Sequence, residues 1–387
     1  MTVTQVSKAL IGAILLLLLL PFSTSGAPLG AAQPTFRDRS DDGVRIGVFG
    51  LFHPRELIVS ATSGDALILH IAGENIPLEK SSGFASARVQ ISGSELVAFL
   101  DDRIFRATTL TVTRREGGPA DFTLAVPNKI TRRYKGELEI RCSSSSLIAI
   151  VTMERETAVA SIVAAESTSE TPLEALKAQA VATRSYLVSG RGRHLEFDFC
   201  DTTHCQFLRE PPSPGTPVAE AVAATRNLVL VYDSRPFAAM YTHSCSGRTR
   251  TPAQAGLSSS TYPYYEVECS FCRTHPVRWT MRISPEDASK LRSSNESSRL
   301  ELVRRLGWNT VPSNYFVSRP SGDHVLLQGV GRGHGIGLCQ SGSKAMAEAG
   351  STFREILSHY YPNTTIVDWP HTEDAGRSYP SPAIPGN

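Results

Sequence analysis

Through the first third of the chain, apolar and polar residues alternate in short runs. Val44-Arg45-Ile46-Gly47-Val48-Phe49, Ala66-Leu67-Ile68-Leu69-His70-Ile71, Thr109-Leu110-Thr111-Val112 and Glu137-Leu138-Glu139-Ile140 each put their apolar side chains on one face, the period of a half-buried strand. Turn formers, Ser63-Gly64-Asp65 and Gly117-Gly118-Pro119, stand between them. From Thr157 to Glu166 the period turns helical. After Thr171, with Pro172 and Glu174 placed as in a capping box, Leu173, Leu176, Ala180 and Leu187 fall on one helical face. A last helix is expected after Ser351 as N-cap, with Phe353, Ile356, Leu357 and Tyr360 inward and Pro362 as its stop. These patterns predict an α+β protein of two packed units. A β-rich region spans 34–133, a mixed α/β region spans 134–366, and a polar tail over 367–387 is expected to be disordered.

Residues 1–33 carry a different signal. Lys8 precedes an apolar run from Ala9 to Leu20, followed by Pro21 and by small residues at Ser25, Gly26 and Ala27. The run is short for a membrane span and the small residues suit cleavage, so a signal peptide and an exported protein of the periplasm or extracellular space are expected. Uncleaved, the same segment would serve as a membrane anchor. No cysteine precedes Cys142, which excludes a lipid-modified N-terminal cysteine. Of the 387 residues, 41% are hydrophobic, enough for real cores, and the net charge of +2 gives no electrostatic reason to bind nucleic acid. All seven cysteines lie beyond Arg141, and an odd count in an exported chain argues against a fully paired disulfide framework.

Three constellations carry chemistry. The densest is His194, Cys200, His204 and Cys205, whose imidazole and thiolate donors suit a tetrahedral zinc ion. A closed set of four such ligands would be structural, because hydrolytic zinc keeps a position open for water. The spacing also admits a Cys200–Cys205 disulfide. The second constellation runs Tyr241-Thr242-His243-Ser244-Cys245-Ser246-Gly247-Arg248-Thr249, and the third is the glycine-rich run from Gly329 to Gln340 around His334. The third lacks the lysine and the strand–helix context of a phosphate loop; its glycines suit close backbone approach to a polymeric ligand. Cys245, Cys269, Cys272 and Cys339 remain, open to a metal or to two disulfides.

Taken together these residues resemble the family of the sporulation protein SpoIID and the amidase enhancer LytB. Ala164-Ala165-Glu166 with Pro172 to Tyr186 is similar to its first signature. Tyr241-Thr242-His243-Ser244 with Gly247 and Thr249 is similar to its second, and Gly331 to Gly337 with Gln340 to its third. The likeness runs from Tyr134 to Tyr361, more weakly upstream. One departure is Thr168, where many members have proline.

The resemblance implies a peptidoglycan lytic transglycosylase with a mixed α/β catalytic domain and a glycan-binding groove. Such an enzyme cleaves the bond between N-acetylmuramic acid and N-acetylglucosamine without water, leaving 1,6-anhydro ends. The catalytic acid/base falls on Glu166, and a structural zinc falls on His194, Cys200, His204 and Cys205. Glycan contacts are implied for Arg184 and Tyr186 of the first signature and for Tyr241, His243, Ser244, Gly247 and Thr249 of the second. Gly333, His334, Gly335 and Gln340 supply them from the third. The implied partners are peptidoglycan strands. The competing readings are a non-catalytic enhancer of a cell-wall amidase and, from the His/Cys cluster, a zinc hydrolase.

Overall fold

The computed structural model describes residues 43–62, 66–79, 85–143, 145–258 and 261–369. Strands form where the sequence alternates: along Ala120–Val126 and Leu67–Ile71 every second side chain is buried. Twelve strands make one curled sheet. Its path runs Phe199–Cys200, Gly43–Val48, Leu147–Glu154, Ile130–Cys142, Ala120–Val126, Glu56–Ala61, Ser86–Ser92, Glu95–Leu100 and Arg103–Ala107. Thr109–Arg114 branches from Ile130–Cys142 and carries Leu67–Ile71 and Glu74–Leu78. Pairing along this sheet is antiparallel except for Phe199–Cys200, which lies parallel to Gly43–Val48.

Ile130–Cys142 serves both halves of the curl. Its first part pairs with Ala120–Val126 up to Gly136, and from Glu137 onward it pairs with Leu147–Glu154. The division expected between residues 133 and 134 falls inside this continuous strand, and the described residues form one compact unit. The expected signal segment lies outside the described residues. So does the expected tail from 370 on, while its first residues close the strand Thr365–Asp368.

Among the described residues there are eight helices: α1 (Arg155–Glu166), α2 (Leu173–Ser189), α3 (Pro217–Ala224), α4 (Ser270–Thr274), α5 (Pro285–Lys290), α6 (Glu296–Leu306), α7 (Gln340–Glu348) and α8 (Phe353–Tyr360). α2 departs from its sequence pattern. Every residue from Ala178 to Leu187 is buried, polar Gln179, Thr183, Arg184 and Ser185 included. It is a central helix, ringed by α1, α3, α7, α8 and the strand Leu228–Tyr232. Alanines at 175, 178, 180 and 182 let these neighbours approach on all sides, and a helix so enclosed shows no single apolar stripe. Its capping box does not form. Pro172 is the N-cap, the Thr171 hydroxyl accepts from the Thr168 N–H at 3.1 Å, and Glu174 pairs with Lys177. α8 begins one residue later than expected, with Thr352 as N-cap in a reciprocal capping box with Glu355.

Three cores result. The first lies inside the curled sheet under α1 and α2, and the second surrounds Val181, Tyr262, Leu338 and Tyr361. The third is small, built from Leu302, Val303, Val311 and Phe316 beneath the three-stranded sheet Arg278–Ile283, His324–Val330 and Phe316–Ser321.

Candidate functional site

Glu166 is the last residue of α1, so its side chain leaves the helix where α1 meets the segment after Cys205. The Phe207 N–H donates to its Oε1 at 3.1 Å. From the other side the Gln340 amide, on the first residue of α7, donates to the Glu166 carbonyl at 3.2 Å and to Gln179 Oε1 at 3.4 Å. Burial pushes the Glu166 carboxyl up to about 7, against the Phe207 N–H, Gln340 and the more distant Arg209, which favour the ionised form. A carboxyl at this value exchanges its proton near neutrality, as a group that is first acid and then base requires.

Glu166 opens into a cavity of about 340 Å³, which Tyr241, His243, Gly333, His334 and Gln340 also line. Two distant stretches build its floor. Tyr241–Thr242 pairs in parallel with Leu338–Cys339, and the Thr242 hydroxyl donates to the Arg332 carbonyl at 3.0 Å while accepting the Gly335 N–H at 3.1 Å. Gly331, Gly333, Gly335 and Gly337 all hold positive φ, so backbone at every second residue folds tightly over this ladder. His334 is held neutral. Burial lowers it to about 4, and its Nδ1 accepts the Ile336 N–H at 3.0 Å, which leaves the proton on Nε2. The Tyr241 phenol is buried beside Glu166, and burial and that carboxylate both push its titration upward.

The second signature therefore divides. Tyr241 and His243 line the cavity, whereas Ser244, Gly247 and Thr249 are turned into the protein. The Ser244 hydroxyl lies 3.3 Å from Cys272 Sγ, Gly247 packs on Arg273, and the Thr249 hydroxyl accepts the Val267 N–H at 2.8 Å. The glycan contacts expected of these three are corrected to holding the loop. Gly335 is likewise a backbone donor to Thr242 and not a lining residue. Arg184 is corrected most plainly. It is fully buried, its guanidinium bridges both carboxylate oxygens of Glu156 at 2.7 and 2.8 Å, and it donates to the Leu228 carbonyl. Its neighbour Tyr186 does reach the cavity wall, with Arg193 on its hydroxyl.

His204 and Cys205 line one part of the same cavity. With His194 and Cys200 they bring four ligand atoms within 4.8 Å of one another, and all the cysteines are free. His194 Nε2 lies 3.3 Å from Cys205 Sγ, and His204 Nδ1 lies 3.8 and 3.6 Å from Cys200 and Cys205 Sγ. A tetrahedral ion with zinc–sulfur and zinc–nitrogen bonds of about 2.3 and 2.0 Å needs nitrogen–sulfur edges of about 3.5 Å. The donor set and its spacing fit such an ion. Sequence reasoning missed the Phe207 N–H, Gln179, Thr242 and the far wall with Arg299 and Trp308. A backbone donor leaves no spacing signal, and Gln179 and Thr242, though inside the first and second signatures, show their part only through contacts made across the fold.

Residues 143–232 match the SpoIID family model, described as stage II sporulation protein. An uncharacterized protein of Brachyspira hyodysenteriae is 26% identical over 269 residues, covering 61% of this chain and 73% of that protein. The amidase enhancer of Bacillus subtilis is 24% identical over 51% of this chain, which spans 38% of that longer protein. Stage II sporulation protein D of Bacillus amyloliquefaciens is 24% identical over 54% of this chain and 73% of its own length. The family model covers α1, α2 and the His/Cys cluster, and all three sequence signatures meet at one cavity. Over residues 143–232 the chain is thus similar to the SpoIID family of stage II sporulation proteins.

Proposed function

We propose that this protein is a peptidoglycan lytic transglycosylase acting on glycan strands in the cell envelope, with Glu166 as its single acid/base. The observation that carries the reading is a half-buried carboxyl held near neutrality at a largely apolar cavity into which a few polar side chains converge. Glu296, the other carboxylate at the cavity, has both oxygens engaged by the Arg299 guanidinium.

The neutral Glu166 carboxyl gives its proton to the glycosidic oxygen as the bond to C1 of the muramic residue breaks. The resulting carboxylate takes the proton of the C6 hydroxyl as that oxygen bonds to C1, closing the anhydro ring and restoring the acid. An internal hydroxyl replaces water, so no second carboxylate is needed, in contrast with ordinary glycosidases. Phe207 N–H supports the ionised state between the two transfers, and neutral His334 with Tyr241, His243 and Gln340 orients the sugars. His194, Cys200, His204 and Cys205 would hold a zinc ion whose chemistry here is structural. With four protein ligands it keeps no position for water, which weighs against a zinc hydrolase.

Purified glycan strands should yield anhydro-ended products with the unsubstituted protein and none with Glu166→Gln. Absence of product from the unsubstituted protein on both denuded and native strands would sink the enzyme reading. The amidase enhancer among the relatives favours a second reading, stimulation of a wall amidase. That reading expects Glu166→Gln to stimulate the amidase as well as the unsubstituted protein does. Export rests on the segment 1–33; among the described residues no helix is long and apolar enough to cross a membrane.

A further inference from the structure

Four more sulfurs converge behind the cavity floor. Cys245 follows Ser244 in the loop after Tyr241–Thr242, Cys269 is the N-cap of α4, Cys272 lies within α4, and Cys339 is the N-cap of α7. All four are buried, at 2% exposure or less, and their Sγ atoms lie within 4.8 Å of one another. Each sulfur thus neighbours the other three, as the ligands of one tetrahedral ion must. Cys272 and Cys339 Sγ are 3.5 Å apart, close to the edge of about 3.8 Å that four metal–sulfur bonds of about 2.3 Å require.

The surroundings suit thiolates. The Tyr360 hydroxyl donates to Cys269 Sγ at 3.4 Å, the Gly342 N–H donates to Cys339 Sγ at 3.4 Å, and the Ser244 hydroxyl lies 3.3 Å from Cys272 Sγ. Donors of this kind orient metal-bound sulfurs and spread their charge. An iron–sulfur cluster interposes sulfides and further irons between its cysteines, and sulfurs confined within 4.8 Å leave room for one ion.

We propose that Cys245, Cys269, Cys272 and Cys339 hold a single structural zinc ion as four thiolates, their four protons passing to solvent on binding. Zinc is the fit because a buried brace needs a tetrahedral ion without redox change. The ion ties together the loop that bears His243, the helix α4 and the start of α7, where Gln340 follows Cys339.

The test uses the full exported chain, purified without chelator, with elemental analysis, zinc-edge X-ray absorption and non-reducing peptide mapping. Two zinc ions per chain are expected, sharing the six sulfurs and two nitrogens of the two clusters, an average of three sulfurs and one nitrogen each. The double variant His194→Ala, His204→Ala should keep one zinc with sulfur ligands only. A single zinc with four sulfurs in the unsubstituted chain also supports this site and removes the other. One zinc with two sulfurs and two nitrogens overturns it, as do disulfides joining these four cysteines or iron in place of zinc. The unsubstituted protein alone decides among these, whether or not the variant folds.

Discussion

The two four-ligand clusters solve different problems. His194, Cys200, His204 and Cys205 lie within one short stretch, three of the four half-buried, and the only regular structure there is the two-residue strand Phe199–Cys200. Cys245, Cys269, Cys272 and Cys339 come from separate elements and lie in a finished core with Val181, Tyr262 and Leu338. An ion in the first would give shape to a loop that has little core of its own; one in the second would join elements that already pack. Both end at Glu166, one through the Phe207 N–H just beyond Cys205, the other through Gln340 just beyond Cys339.

The hardest test of that contrast is Cys339→Ala. It removes one core sulfur, the acceptor of the Gly342 N–H, and charge balance among the remaining three, and should cost about 3–5 kcal/mol. The denaturant midpoint of the whole chain should fall; a loss confined to the loop over 191–209 would erase the distinction between the clusters. His204→Ala should cost less, about 1–2 kcal/mol, because its site is local and half exposed. Hydrogen exchange should quicken over 191–209, the edge strand Phe199–Cys200 included, and leave the rest of the curled sheet protected, while product formation falls with the Phe207 contact.

The carboxylate between the clusters gives a test with the opposite sign. A folded value of about 7 against an ordinary 4.5 means the folded state holds the proton more tightly. Stability contributed by the neutral carboxyl is therefore complete below pH 4.5 and is lost as pH rises toward 7. Glu166→Gln should stabilise the protein by about 1–3 kcal/mol at pH 8, with no gain at pH 4, even as it removes turnover. Thermal midpoints of the two proteins at both pH values check this. Smallest is Gln340→Leu, which takes away one donor favouring the ionised form. The alkaline limb of product formation should move upward by a few tenths of a pH unit.

Much of this was readable beforehand, for identifiable reasons. Strands such as Leu67–Ile71 have one wet face, so burial leaves a period of two in the sequence. α2 misled because it is enclosed on every side, and Leu173, Leu176, Ala180 and Leu187 are a fraction of what it buries. His194 to Cys205 was visible because its ligands are neighbours in the chain. Cys269 and Cys272 were visible as a pair, but nothing local says that Cys245 and Cys339 join them; that depends on the parallel pairing of Tyr241–Thr242 with Leu338–Cys339. Arg184, in the first signature beside Tyr186, reads as a ligand-binding cation. Its partner Glu156 lies on α1, and only packing brings the two together.

The alternation of left-handed glycines from Gly331 to Gly337 separates two kinds of inheritance. At the odd positions the backbone is committed: a Cβ at Gly333 would meet the Thr242 hydroxyl at 2.5 Å, and one at Gly337 would meet the Met240 carbonyl. At the even positions Arg332 and His334 face the cavity. Side chains at 332 and 334 can therefore change without redrawing the path of the backbone, and a mutational scan across the run should find every glycine and the buried Ile336 intolerant and positions 332 and 334 the gaps between them.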